Sequence, residues 1–177
     1  EVVQVHPMRI SPYYLSLVDW NNPDDPIRRM AVPSEEELNL EGFYDTSGEN
    51  ENTKLHGLQH KYSETALILV TNRCAMYCRH CFRKRLVGLQ TEEILRHFEE
   101  AVDYIEEHKE INNVLISGGD PLVLKNEIIE RFLEKLEKID HINFIRIGSR
   151  VPVTLPSRLS DKKLQAIFRK YSRTNKR

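Results

Sequence analysis

The chain has 177 residues, 40% of them hydrophobic, with 26 lysines and arginines against 27 aspartates and glutamates. That length accommodates one domain with a sizeable core, and the near-neutral charge gives no electrostatic reason to expect a nucleic acid or a membrane surface as partner. No apolar run reaches the length of a membrane span and the N-terminus lacks the basic and apolar regions of a signal peptide, so a cytoplasmic location is expected.

Residues 1–60 are broken repeatedly by prolines at 7, 12, 23, 26 and 33. The spacing of Tyr13-Tyr14-Leu15-Ser-Leu17-Val18-Asp-Trp20 predicts a short amphipathic helix, with Tyr13, Tyr14 and Trp20 as packing residues. Asp45 to Thr53 reads as a polar loop. Apolar content here is too sparse and interrupted to bury a core alone. The region is therefore expected to be an N-terminal extension packed on a core formed by residues 61–177.

From Ala66 the chain becomes regular. Ala66-Leu-Ile-Leu-Val70 is a predicted buried strand. Thr91-Glu-Glu-Ile94 predicts the capped start of a helix, continued by Phe98, Ala101, Val102 and Ile105 and stopped by Asn112-Asn113. Val114-Leu-Ile-Ser117 is a second strand, ending in Gly118-Gly119-Asp120-Pro121. A second helix is predicted from about Asn126 to Lys138, burying Ile128, Ile129, Phe132, Leu133 and Leu136. Phe144-Ile-Arg-Ile147 is a third strand, closed by Gly148-Ser149-Arg150. Ser160-Asp161 opens a third helix that faces Leu164, Ile167 and Phe168 inward.

A strand, a loop and a helix thus recur three times, with chemically active residues after each strand. The pattern predicts an α/β fold, a partial (β/α) barrel or open parallel sheet whose sites gather at the C-terminal strand ends. An eight-fold barrel needs roughly 250 residues, so three units cannot close one. The polar, basic stretch Ser172 to Arg177 stands where a fourth strand would begin. The expectation is the front part of a larger, apparently truncated barrel, with an open edge on its third strand.

All three cysteines sit just after the first strand, as Cys74-Ala-Met-Tyr-Cys78-Arg-His-Cys81. An odd number at this spacing argues against a disulfide framework and for a metal in a reducing compartment. Three thiolates on one loop can each bind one iron of a cubane cluster, leaving one iron open for an exogenous ligand. A zinc site completed by His80 or a distant histidine remains open on the residues alone, whereas c-type haem attachment does not, because Phe82 follows Cys81. Gly118-Gly119 either turns the chain or admits a ligand to the backbone. Arg83 is a candidate functional residue, with Lys84 and Arg85 as surface neighbours. Arg146 and Arg150 suit salt bridges at the core edge as well as cofactor contacts, and Ser149 and Arg150 follow the third strand, where either a site role or a structural one is open.

Val70-Thr-Asn-Arg-Cys74-Ala-Met-Tyr-Cys78-Arg-His-Cys81-Phe-Arg-Lys-Arg85 resembles the radical S-adenosylmethionine superfamily. Together with Ile116-Ser-Gly-Gly-Asp-Pro-Leu122 and Arg146-Ile-Gly-Ser-Arg-Val-Pro-Val-Thr-Leu-Pro156, it is similar to the lysine 2,3-aminomutase subfamily from about His60 to Tyr171. The resemblance implies a [4Fe–4S] cluster on Cys74, Cys78 and Cys81, with S-adenosylmethionine on the open iron and a 5′-deoxyadenosyl radical as its product. Ser117, Gly118, Gly119 and Asp120 match the motif that cradles the methionyl part, with Asp120 suited to the ammonium. Arg83 matches the arginine that grips the substrate carboxylate, which makes it the candidate catalytic residue. Lys61 and Tyr62 fall where the family holds pyridoxal 5′-phosphate, lysine replacing the usual arginine.

The function implied is that of an isomerase, moving an amino group from the α- to the β-carbon of lysine or a related amino acid through a pyridoxal phosphate aldimine. None of Lys162, Lys163, Lys170 or Lys176 matches the family's aldimine lysine. The alternative is therefore a truncated iron–sulfur and S-adenosylmethionine-binding fragment without complete mutase activity. Implied partners are a small amino-acid substrate, an electron donor such as flavodoxin or ferredoxin, and further copies of the chain in a homo-oligomer. Neither nucleic acid nor membrane is among them.

Overall fold

The prolines of the N-terminal region start helices as well as interrupting them. In the computed structural model, which describes residues 1–39 and 41–172, α1 (Val2–Val5) is followed by α2 (Pro12–Leu15) and α3 (Pro26–Ala31). Ser11 and Asp25 cap α2 and α3 by accepting from the amides of Tyr14 and Arg28, each with proline at the first helical position. The helix predicted over Tyr13–Trp20 is thus the single turn of α2. Beyond it, Asp45 accepts from the amides of Glu49 and Asn50 and seeds α4 (Glu49–Asn52) inside the predicted polar loop.

A hairpin follows that the sequence reading did not anticipate. It comprises β1 (Thr53–Leu55) and β2 (Leu58–Tyr62), turned at His56-Gly57 with Gly57 at φ +77°. The division drawn after residue 60 falls inside β2. The predicted strands appear as β3 (Thr65–Leu69), β4 (Asn113–Ser117) and β5 (Phe144–Ile147). The five form one sheet in the order β1-β2-β3-β4-β5, antiparallel from β1 to β3 and parallel from β3 to β5.

Between β3 and β4 lies α5 (Phe98–Glu107), which starts seven residues after the predicted cap. Thr91 Oγ1 does accept from the Glu93 amide, at 3.1 Å. Tertiary bonds then claim the next turn: the Leu95 amide donates to the Leu69 carbonyl at 2.8 Å and the His56 imidazole meets the Glu92 carbonyl. A Cβ on Gly57 would lie 2.0 Å from the Leu95 nitrogen, so only glycine lets the two backbones touch there. The remaining elements are α6 (Asn126–Glu137), α7 (Val151–Thr154) and α8 (Lys162–Tyr171), the last capped by Asp161. Residues 173–177, most of the basic tail, lie outside the described residues.

Helices cover one face of the sheet. Leu58, Ala66, Ile68, Val114 and Ile116 point to that side and pack against buried residues of α5, α6 and α8. Each fully buried Leu, Ile or Phe contributes about 1.5–3 kcal/mol relative to exposure, and Phe98 and Phe132 meet edge to face at 4.4 Å. Ile128, predicted to be buried, is exposed. The opposite face alternates out with Thr65, Leu67, Asn113, Leu115 and Arg146. No helix among the described residues is long and apolar enough to cross a membrane.

Candidate active site

The cysteine loop leaves β3 at the C-terminal edge of the sheet. Its base is pinned where Gly88 N donates to Asn72 O at 2.8 Å and the Asn72 side chain donates to Leu89 O. Two apolar clusters hold it: Leu69, Leu86 and Val87 on one side, and Tyr14, Ala31 and Met76 of the extension and the loop on the other. Arg79, between the second and third cysteines, points away from them and is buried. It donates to the carbonyls of Pro7 (3.0 Å) and His6 (3.2 Å) and pairs with Glu37 at 2.6 Å. Extension and loop are thus stitched together by one guanidinium.

Cys74, Cys78 and Cys81 are free, half-buried thiols that line one cavity of about 230 Å3 with Gly118, Gly119 and Arg150. Burial pushes the Cys74 thiol up to about 12, helped by Asp120 and the other two cysteines, and burial likewise raises Cys81. Such thiols ionise only against a cation. His80 is exposed and does not line the cavity. A tetrahedral zinc would hold its sulfurs about 3.8 Å apart, from Zn–S bonds of about 2.3 Å. Among the described residues the three sulfurs do not gather within 4.8 Å of one another. The donor set therefore fits a larger, multi-iron group better than a single zinc ion.

The loops after β4 and β5 close the cavity. Asp120 N donates to Arg73 O at 2.8 Å, and Cβ atoms on Gly118 and Gly119 would lie 2.4 Å from the carbonyl oxygens of Thr71 and Arg73. The glycine pair thus lets this loop lie on the root of the cysteine loop. Asp120 is buried and acts as a strut. Its carboxylate accepts from Ser149 Oγ (2.7 Å), Arg150 N (2.7 Å), Leu122 N (3.0 Å) and Val151 N (3.1 Å). That brace aims Arg150, whose Nη1 lies 2.8 Å from Cys78 Sγ and whose Nη2 lies 2.8 Å from Met30 Sδ.

Arg83 is buried in the wall of the cavity. Its Nη1 donates to Ser117 Oγ at 3.0 Å and Gly118 O at 3.2 Å, while Nε and Nη2 donate to Glu49 Oε1 at 2.9 and 2.7 Å. Four of its five N–H groups are used, leaving one on Nη2. Burial works against ionisation of Glu49, but hydrogen bonds from Arg83 and Arg85 outweigh it and hold its carboxyl below the usual range. Arg85 and Lys84, read from sequence as surface, are instead ion-paired. Arg85 bridges Glu49 and Glu93 at 2.6 Å each, and Lys84 contacts Glu37 at 2.5 Å.

Lys61 and Tyr62 lie apart from the cysteines. They line a second pocket of about 400 Å3 on the open face of the sheet, with Gln59, Leu115 and Arg146. Lys61 Nζ donates to Ser47 O at 2.9 Å, and Arg146 Nε donates to Asn113 Oδ1 at 2.9 Å. Phe82 and Arg83 line both spaces. Glu49 and Arg79 went unread in the sequence: a four-residue helix has no periodicity to reveal Glu49, and nothing local marks the distant carbonyls that receive Arg79.

Residues 68–172 match the Radical SAM superfamily. A protein of Aquifex aeolicus provisionally named L-lysine 2,3-aminomutase is 47% identical over 169 residues, 95% of this chain and 45% of its own length. The L-lysine 2,3-aminomutase of Clostridium subterminale is 41% identical, over 93% of this chain and 40% of its own. The glutamate 2,3-aminomutase of Clostridioides difficile is 42% identical, over 86% and 36%. The chain spans less than half the length of each of these curated relatives. With the family matched over more than half its residues and the three cysteines on one cavity, this chain belongs to the radical SAM superfamily.

Proposed function

We propose that this chain works as a radical S-adenosylmethionine aminomutase, moving an amino group from the α- to the β-carbon of lysine or a related amino acid. The observation that carries this reading is the shared wall of Phe82 and Arg83, which separates the cysteine cavity from the pocket of Lys61 and Tyr62. The names of the relatives support an α-amino acid as substrate and leave lysine and glutamate as alternatives. Cys74, Cys78 and Cys81 hold the [4Fe–4S] cluster, and Ser117, Gly118 and Gly119 border the space for S-adenosylmethionine. Lys61 and Tyr62 receive pyridoxal 5′-phosphate, the lysine ammonium meeting its phosphate. When bound, the cluster and S-adenosylmethionine supply a hydrogen-abstracting radical, and pyridoxal phosphate carries the migrating amino group. A small protein of the flavodoxin or ferredoxin kind provides the electron.

Arg83 orients the substrate carboxylate from the wall between the two spaces. With Glu49 in place it has one N–H to offer, so a two-point grip requires Glu49 to yield part of its hold. Phe82, over whose ring the Arg83 guanidinium lies at 4.6 Å, keeps water from that side of the cation.

The test is anaerobic reconstitution with iron and sulfide, followed by dithionite and S-adenosylmethionine. 5′-Deoxyadenosine is expected from the wild-type chain and not from Cys78→Ser. Absence of the nucleoside from both sinks the reading. A second reading, binding of cluster and S-adenosylmethionine without mutase turnover, is favoured by the hold of Glu49 on Arg83, which leaves that guanidinium one N–H for a substrate. Adding pyridoxal phosphate with lysine or glutamate separates the two: a β-amino acid product supports the first, and nucleoside without it supports the second.

A further inference from the structure

At the edge of the sheet away from the cysteine loop, β2 and the end of α5 bring three side chains together. His60, His108 and Glu110 each place one ligand atom within 4.8 Å of the other two. The two imidazoles are already set in orientation. His60 Nε2 lies 3.0 Å from the Ser63 carbonyl oxygen, which can only accept, so this nitrogen carries the proton. His60 Nδ1 then presents its lone pair, met by the Tyr104 hydroxyl at 3.0 Å. His108 is arranged alike: Nδ1 donates to the Tyr104 carbonyl at 2.7 Å, leaving the lone pair of Nε2 free. An imidazole fixed by a carbonyl through one nitrogen, with the other nitrogen unprotonated, is how metal-ligating histidines are held. Ring packing adds to this: Tyr104 stacks on His108 at 3.8 Å, and His60 meets both rings edge-on.

A second observation comes from the helix itself. The last turn of α5 contains no basic residue, and its C-terminal end carries Glu106, Glu107 and then Glu110, with Lys109 between. Carboxylates at the negative end of a helix are unfavourable, and a cation there is favourable.

The geometry points to a divalent metal site formed by His60, His108 and Glu110, clamping β2 to the end of α5. Two imidazole nitrogens and one carboxylate select a zinc-like ion over magnesium or calcium, which prefer all-oxygen shells. Water completes the coordination on the exposed side of Glu110. The Tyr104 hydroxyl turns away from His60 Nδ1 when the metal takes that lone pair. The clamp is structural and independent of the cysteine loop.

Equilibrium dialysis of the full chain against zinc chloride tests it, by comparing wild type with His108→Gln and Glu110→Gln. Zinc on the cysteines contributes equally to all three and cancels in the difference. The wild type is expected to retain about one more zinc ion per chain than either variant, and zinc is expected to raise its unfolding temperature further than theirs. Tyr104→Phe, which removes the phenol from His60 Nδ1, is expected to keep the extra ion. Glu110 is exposed, so Glu110→Gln folds whatever becomes of His108→Gln. Equal zinc content in wild type and Glu110→Gln, or loss of the extra ion in Tyr104→Phe, overturns the site.

Discussion

Glu49 Oε1 receives two hydrogen bonds from Arg83, 2.9 Å from Nε and 2.7 Å from Nη2, with both side chains almost wholly buried. The pair ties a one-turn helix in the N-terminal region to the wall between the two cavities. Removing one member of a buried pair leaves the other charge uncompensated. Glu49→Ala is therefore expected to lower the unfolding free energy by roughly 3–5 kcal/mol, read from urea denaturation. Glu49→Leu combined with Arg83→Met should recover much of that loss. A cost below about 1 kcal/mol, the level of an exposed pair, would falsify the assignment.

Acid should act through a different carboxylate. Burial opposes ionisation of Glu37, but hydrogen bonds from Arg79, Lys84 and the Ser34 amide outweigh it and lower its pKa to about 2 from 4.5. Because the folded value lies below the unfolded one, the stabilisation is fully present above about pH 4.5 and is lost as pH falls toward 2. The loss amounts to about 3 kcal/mol at most. Urea titrations of wild type and Glu37→Gln across that window check it, since the variant should show a shallower acid slope.

Arg150 Nη1 lies 2.8 Å from Cys78 Sγ. A cation donating to a ligand sulfur stabilises the reduced, more negative state of a cluster. With iron and sulfide reconstituted, Arg150→Met is expected to lower the reduction potential by about 60 mV, the one-electron equivalent of about 1.4 kcal/mol. A spectroscopic redox titration reads this without turnover. An unchanged potential means that the arginine leaves the sulfur once the cluster is in place.

A methyl group at Gly119 would meet the Arg73 carbonyl oxygen at 2.4 Å. Gly119→Ala is expected to push the β4 loop off the root of the cysteine loop and cost about 1–3 kcal/mol. It should also lower the iron retained after reconstitution. Full iron loading at wild-type stability would show that the two loops need not touch.

What could be read in the sequence was local. The cysteines sit within eight residues of one another, so their spacing alone states that they share a loop. β3, β4, β5 and α6 announce themselves because runs such as Val114 to Ser117 and the stripe from Ile129 to Leu136 carry the period of their own element. The start of α5 was hidden because Leu95, in the loop before it, gives its amide to Leu69 at the end of β3 rather than to the turn before it. Asp120, assigned by resemblance to a cofactor ammonium, also braces the loops after β4 and β5 through four hydrogen bonds that no local pattern announces. Three of the four donors, Ser149, Arg150 and Val151, follow β5 some thirty residues away in sequence, and the fourth is the neighbouring Leu122 amide. Glu49 was unreadable for the same reason: its partners are Arg83 and Arg85, and no local pattern joins them.

Arg79 occupies the middle of the cysteine loop yet spends its hydrogen bonds on His6, Pro7 and Glu37. Order in the loop and order around His6, Pro7 and Glu37 are therefore one equilibrium, and anything that fixes the cysteines also restrains the chain at those points. A protease that nicks this N-terminal stretch in the iron-free protein should be slowed when iron and sulfide are bound. Cleavage there becomes a gauge of occupancy, read without touching the metal.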